Sequence, residues 1–316
     1  MKAFKLTILL SGILLLAACG GDDSTPNIKE KNKTDINSDK SANTNKNTSG
    51  PVEAQTHYEF PKIKGGQSEI IVHSTKTYGM TYALEWDHSK QATRWVCWEM
   101  DGSNCQERYS RTQLWPNGDP WAYDPLVPQN EQQATYSELS NSFYPGYDSK
   151  IHQKSDYLYQ KGHICASQDR IYDKEANEQT FYMTNIMPMV GNFNGKLWSK
   201  LESQVRTWGK NSDTLYICKG GTIDSSSYIL DRTKGNHIVP KYFFMALFRK
   251  SAKGLFAIGF WMEHLNEDRS SDKLSKYAKS IDQLENLTGI DFFCNLPDDT
   301  ENKVEATLTL SDWNLQ

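Results

Sequence analysis

Residues 159–206 read YQKGHICASQDRIYDKEANEQTFYMTNIMPMVGNFNGKLWSKLESQVR. One histidine, His163, follows a Lys-Gly pair. A strand-like run, TFYMTNI, comes next, and the stretch ends in a segment of helical periodicity that carries Asn194, Glu202 and Arg206. A neutral imidazole can take a proton from water near pH 7. A single amide oxygen can hold a hard cation that keeps most of its waters, and a carboxylate behind it can accept hydrogen bonds from those waters. A guanidinium meets a phosphate. These are the parts a phosphodiester hydrolase needs, if spacing brings them together.

The segment after Gly191 meets that condition in part. Phe193, Leu197, Leu201, Val205 and Trp208 recur at helical spacing, an apolar stripe about 120° wide at roughly 100° per residue. On the same wheel Asn194, Glu202 and Arg206 fall in a neighbouring arc of about the same width. The stripe is therefore expected to face a sheet and the polar trio a cleft beside it. Glu202 and Arg206 are also i, i+4 neighbours, able to orient each other.

On either side of this stretch the chain reads as strands with a few helices. Glu69 to Glu99 alternates between apolar and polar residues in segments such as TYALEWD and TRWVCWEM, which predicts strands joined by turns. Residues 112–156 are rich in Pro, Gly, Asn, Asp and Tyr, a long irregular region of the kind that often carries function. TFYMTNI, DTLYICKGG, KYFFMALFR and LFAIGFWM are further strand candidates. A helix is expected over Asp272–Leu287, with Gly289 as its stop. The sum is an α+β fold, with helices packed on a mainly antiparallel sheet.

The N-terminus reads as a targeting segment. Lys2 and Lys5 precede an apolar core, Leu6–Leu16, too short to span a bilayer. Leu16-Ala17-Ala18-Cys19 then resembles a bacterial lipobox, so residues 1–19 are expected to be a lipoprotein signal peptide, with Cys19 lipidated and holding the protein to a membrane. That implies a cell-envelope location, periplasmic or facing outward from the cell surface. Residues 20–56 have almost no apolar content and are expected to be a disordered polar tether, with 57–316 the folded domain. The formal net charge is −4, so a nucleic-acid ligand must be held by a local basic cleft rather than by the whole surface.

Cys97, Cys105, Cys165, Cys218 and Cys294 remain besides Cys19. In an oxidising compartment two disulfides and one unpaired thiol are the default expectation, with Cys97–Cys105 and Cys165–Cys218 as candidate pairs. The absence of CxxC and HxxxH spacings argues against zinc. His237, ahead of the apolar IVPKYFF run, reads as structural, and His264 has no assigned role. No G-x-x-x-x-G-K-[ST], G-x-S-x-G or H-E-x-x-H motif is present.

Taken together, KGH, TFYMTN, FNGKLW and LESQVR in this order resemble the DNA/RNA non-specific endonucleases, a family of ββα-metal (His-Me finger) nucleases. Its pattern of D-R-G-H, T/S-N, L/F-N-x-G-x-W and L-E-x-x-x-R is matched by Gln160–His163, Thr184-Asn185, Phe193–Trp198, and Leu201-Glu202 with Arg206. The tail IDQLENLTGIDFF…LPDD is also similar. The resemblance covers about residues 90–300 and implies a metal-dependent endonuclease that cleaves DNA and RNA without sequence specificity. It implies His163 as general base, Asn194 as ligand to Mg²⁺ (or Mn²⁺ in its place), and Glu202 ordering the metal's waters. Arg206 is expected to face the phosphate or the cleft, and Asn185 to support the histidine or the metal-water network. The family's transition-state arginine falls on Arg111, with Arg108 as runner-up. No protein partner is implied. Two departures stand out: Gln160 and Lys161 replace the motif's Asp and Arg, and lysine keeps the charge but loses the bidentate fork. A nuclease-like module that binds extracellular nucleic acid without turnover is the alternative this leaves.

Overall fold

The computed structural model describes residues 42–133, 135 and 139–315; the expected signal peptide and its Cys19 lie outside them. In chain order the strands are β1 (Ser68–Thr75), β2 (Gly79–Asp87), β3 (Ala92–Asp101), β4 (Tyr159–His163), β5 (Ile186–Val190), β6 (Thr214–Gly221), β7 (Ile229–Arg232), β8 (Ile238–Pro240), β9 (Tyr242–Ser251), β10 (Gly254–Glu263) and β11 (Ala278–Lys279). The helices are α1 (Val52–Thr56), α2 (Arg111–Leu114), α3 (Gln129–Gln133), α4 (Lys154–Tyr157), α5 (Lys174–Gln179), α6 (Ser199–Lys210), α7 (Ile281–Thr288) and α8 (Asp298–Ala306).

Seven strands form one sheet in the order β1-β2-β3-β6-β9-β10-β11, every neighbouring pair antiparallel. β4 pairs with β5, and β7 with β8, as separate antiparallel ribbons. The central strands are buried on both faces: β3 (ATRWVCWEMD) is buried at every position but Glu99 and Asp101. Successive side chains point to opposite faces. On β9, Phe243 packs with Phe193 and Trp198, while its neighbour Phe244 packs with Phe292. One face therefore meets the segment 193–210, and the other meets the layer of α7 and α8. The α+β expectation of a mainly antiparallel sheet flanked by helices describes this architecture.

The apolar stripe holds residue for residue: Phe193, Leu197, Leu201, Val205 and Trp208 are all buried. At full burial, side chains of this size contribute roughly 1.5–3 kcal/mol each, which fixes the rotation of the helix on the sheet.

Four expectations are corrected. TFYMTNI is not a strand. Met183–Asn185 forms a 3₁₀ turn, and β5 begins only at Ile186; the Asn185 side chain binds main-chain groups at Cys165 and Thr180 and holds the turn. The C-terminal helix does not start at Asp272. Leu274–Tyr277 is a 3₁₀ turn leading into β11, and α7 starts at Ile281 behind a capping box between Ser280 and Gln283. Gly289 does end it, at φ 68°, where a side chain would be strained. None of the five cysteines in the described residues is in a disulfide. Cys218 faces Cys97 across β3 and β6 rather than pairing with Cys165, and Cys165 is buried on the helix side with Ile164 and Leu197.

The fourth correction concerns the tether. Residues 42–56 belong to the folded part. Asn43 donates to Leu296 O at 2.7 Å, Thr44 N to Asp298 at 2.9 Å and Asn45 to Glu301 at 2.9 Å. Asn47 is buried and donates to the carbonyls of Ala54 and Pro61. Poor apolar content misleads here because the segment is fastened by asparagine amides to main-chain and carboxylate groups, not by buried hydrocarbon.

Candidate active site

β4 and β5 place His163 opposite Ile186, Gly162 opposite Met187 and Gln160 opposite Met189. Gly162 is required for close approach: a Cβ there would lie 2.4 Å from the Met189 side chain. The chain then turns through one π-helical segment, Phe193–Trp198, and continues as α6. Such π turns inside helices are frequent at functional sites. Strand, strand and helix thus carry His163, Asn194 and Glu202 on one contiguous unit.

The His163 ring is half-buried. It lies 5.2 Å from the Trp121 ring and 5.0 Å from the Phe181 ring, edge to face with the latter. Its Nε2 is enclosed and has no hydrogen-bond partner. Burial, and after it the charges of Arg111 and Lys219, lower its pKa to about 3, with Asp119 opposing. The imidazole is therefore neutral at physiological pH, with an acceptor nitrogen directed at no protein donor.

The irregular region supplies the walls. Arg111, at the start of α2, stacks 4.8 Å over Phe181 and donates from Nε and Nη2 to Asp119, at 2.7 and 2.5 Å. This fork holds the Asp119 carboxyl below its usual range, with burial opposing. Lys161 Nζ lies 5.0 Å over the Trp121 ring, and burial lowers its pKa while Asp119 raises it. Arg111, Lys161 and His163 all feel Asp119 or each other, so these three expected site residues come together. Arg108 does not join them; it donates to Tyr78 Oη at 2.6 Å, beside β1.

Asn194 donates from Nδ2 to Gln160 Oε1 at 2.9 Å. That bond commits the amide nitrogen and leaves Oδ1 as the exposed face of the group. Glu202 binds Lys219 Nζ through Oε1 at 2.5 Å. Lys219 is fully buried, over the rings of Trp98 and Trp198; burial pushes the Glu202 carboxyl up, and Lys219 opposes it. The set fits a hard, mostly hydrated cation: an oriented amide oxygen, a neighbouring carboxylate, and no thiolate or imidazole cluster.

Two further expected residues are held by protein partners. Arg206 is engaged by Asp169 at 3.0 Å and by Ser203 Oγ at 2.9 Å, so its fork braces the helix, and it lines a small cavity with Asp169 and Lys210. Asn185 is buried and binds the backbone just after the histidine: Oδ1 accepts from Cys165 N at 2.8 Å, and Nδ2 donates to Cys165 O and Thr180 O. It supports the histidine's strand through the main chain. His264 bridges Val190 N and Pro240 O, and His237 is buried; both are structural.

Sequence reasoning missed Asp119, Trp121, Phe181, Asp169 and Lys219. Only Lys219 carried a readable signal, a lone lysine inside the apolar strand LYICKGG, which requires a buried partner.

Residues 67–299 match the family model described as DNA/RNA non-specific endonuclease. The chain is 27% identical over 232 residues to a nuclease of Nostoc sp., covering 71% of this chain and 75% of that protein. It is 25% identical over 146 residues to human mitochondrial endonuclease G, covering 44% of this chain and 49% of that protein. A crystal structure of the EndoG/EndoGI complex shares the fold at a TM-score of 0.51 and 19% identity, covering 79% of this chain and 94% of that one.

Proposed function

Because the chain belongs to the DNA/RNA non-specific endonuclease family, a family of nucleic-acid hydrolases, we propose that it cleaves both DNA and RNA with His163 as general base and Asn194 as the ligand of a divalent cation, Mg²⁺ by preference. The observation that carries this reading is the His163 imidazole: it is held neutral by burial and by two flanking cations, on a ring that is still partly exposed.

A base in that state accepts a proton from water in line with a scissile phosphodiester. Trp121 and Phe181 hold the ring and exclude bulk solvent. Arg111 is pre-oriented by Asp119 and Phe181 and stands beside His163, where it stabilises charge building on the non-bridging oxygens. Lys161 adds a second positive charge at the mouth. Asn194 Oδ1, oriented through Gln160, would hold the cation, and Glu202 would accept hydrogen bonds from its waters. When bound, the cation neutralises the leaving oxygen. The bound phosphate's own negative charge counters Arg111 and Lys219, and so raises the basicity of His163 at the moment it is needed.

The test is a gel assay of purified protein on supercoiled plasmid and on single-stranded RNA, with Mg²⁺ and with EDTA. Cleavage of both substrates, stopped by EDTA and by His163→Ala, is the expected result. Retained cleavage in His163→Ala would overturn the assignment. Binding of nucleic acid without turnover would make the protein a capture module instead. The lipobox supports a further proposal, that Cys19 anchors the enzyme at the cell envelope; incorporation of labelled fatty acid should vanish in Cys19→Ser.

A further inference from the structure

The helices on the opposite face of the sheet carry a group the reaction does not use. α7 supplies Asp282 and Glu285, α8 supplies Glu305, and one carboxylate oxygen from each lies within 4.8 Å of the others. Glu305 is only 6% exposed, and its Oε1 is enclosed without a hydrogen-bond partner. Glu285 accepts from Phe292 N at 2.8 Å through Oε1. Asp291 and Glu301 crowd the same region, and each feels the positive charge of Lys62. Asn45 donates to Glu301 at 2.9 Å, but its own Oδ1 is enclosed and unpartnered too. Acceptor oxygens here outnumber donors, and two of them are sealed from water.

An enclosed carboxylate oxygen with no donor needs either a proton or a cation. Two oxygens on opposite sides of one calcium ion, each about 2.4 Å from it, are separated by about 4.8 Å. A surface depression lined by Asp282, Glu285, Asn286 and Asp291 leaves solvent a way in. Calcium accepts irregular sets of six to eight oxygens and completes its shell with water, whereas magnesium demands near-octahedral order.

We propose that Asp282, Glu285 and Glu305 form a structural calcium site, separate from the active site, which cross-links α7 to α8. Burial, with Asp291, Asp282 and Glu301 nearby, pushes the half-buried Glu285 carboxyl up to about 7; burial, with Glu285 and Glu301 nearby, pushes that of buried Glu305 up to about 10; a bound dication relieves both effects.

The experiment uses the full chain, stripped with EDTA and then melted with Ca²⁺ alone or Mg²⁺ alone. At a hundredfold excess over its Kd, Ca²⁺ should raise the melting temperature by about 5 °C. That shift should persist in Asn194→Ala, which separates it from the active-site cation, and should disappear in Glu305→Gln. Plasmid cleavage in Mg²⁺ should be unchanged in Glu305→Gln. If that variant fails to fold, Asp282→Asn, at an exposed position, should weaken Ca²⁺ binding by about tenfold in calorimetry. No calcium shift in the parent protein, an undiminished shift in Glu305→Gln, or undiminished calcium binding in Asp282→Asn overturns the proposal. A magnesium shift as large as that of calcium overturns its assignment to calcium.

Discussion

Gln160 and Asn194 are tied by one hydrogen bond, from Asn194 Nδ2 to Gln160 Oε1 at 2.9 Å. One of the two residues that depart from the family motif, Gln160, thus orients the amide proposed to hold the metal. An aspartate at that position would place an anion there; glutamine performs the same orientation with a neutral oxygen and adds no charge beside the cation. Gln160→Ala should leave the fold intact and free Asn194 to turn. The expected outcome is a several-fold rise in the Mg²⁺ concentration needed for half-maximal rate, with kcat at saturating Mg²⁺ nearly unchanged. A metal titration of the initial rate checks it.

His163→Ala should lower kcat by about a thousandfold with little change in melting temperature. The parent enzyme's pH profile is equally informative. The base must be neutral to work, and its pKa in the free protein is lowered to about 3. Activity is therefore lost only as pH falls toward that value, so the acid limb of kcat/KM should lie well below 6.5. Arg111→Gln removes the larger of the two cationic contributions, and should move that limb toward higher pH while also lowering kcat. An acid limb near 6.5 in the parent enzyme would contradict this account of the histidine.

Glu202 and Lys219 form the buried ion pair behind the site. Removing only the lysine strands a carboxylate, so Lys219→Met should cost about 3–5 kcal/mol in denaturant unfolding. Glu202→Gln combined with Lys219→Met should recover most of that stability without recovering cleavage. A double-mutant cycle with a coupling energy near zero would show that the pair does not act as a unit.

Acid should destabilise the protein through its structural histidines. His237 and His264 are each lowered to about 4 by burial, against about 6.5 in an unfolded chain. The folded state binds fewer protons between those values, so their contribution is present above about pH 6.5 and is lost as pH falls through 6.5 towards 4. For a fully buried ring the loss is on the order of 3 kcal/mol. His264 Nε2 accepts from Val190 N, and its Nδ1 faces Pro240 O; protonation removes the acceptor that holds β5. Between pH 6.5 and 4 the melting temperature of His264→Gln should fall less than that of the parent protein.

The core of the site was legible because it is local. His163, Asn194 and Glu202 sit on one short strand–strand–helix run, and the apolar stripe through Phe193, Leu201 and Trp208 sets the helix face by spacing alone. Arg111 required the family pattern, since nothing in RTQLWPNGD announces that its guanidinium reaches Asp119 and Phe181. Trp121 and Lys219 come to the histidine through chain reversals with no trace in periodicity. The run TFYMTNI misled because its β-branched and aromatic residues suit many buried surfaces, here a turn pinned by Asn185. Residues 42–56 misled because composition measures apolar area, whereas Asn43, Asn45 and Asn47 act through hydrogen bonds.

Gly162 has a consequence for how the site is assembled. Met189 lies across the space a side chain would need there, so the ribbon of β4 and β5 closes at one alignment. Shifted by a single residue, the glycine would leave its niche, and the imidazole would turn to the opposite side of the ribbon, away from Trp121 and Arg111. Steric exclusion at a residue with no chemistry of its own thus acts as an indexing stop: it tells the folding chain which of several near-equivalent pairings is the working one, before any substrate arrives to reward it.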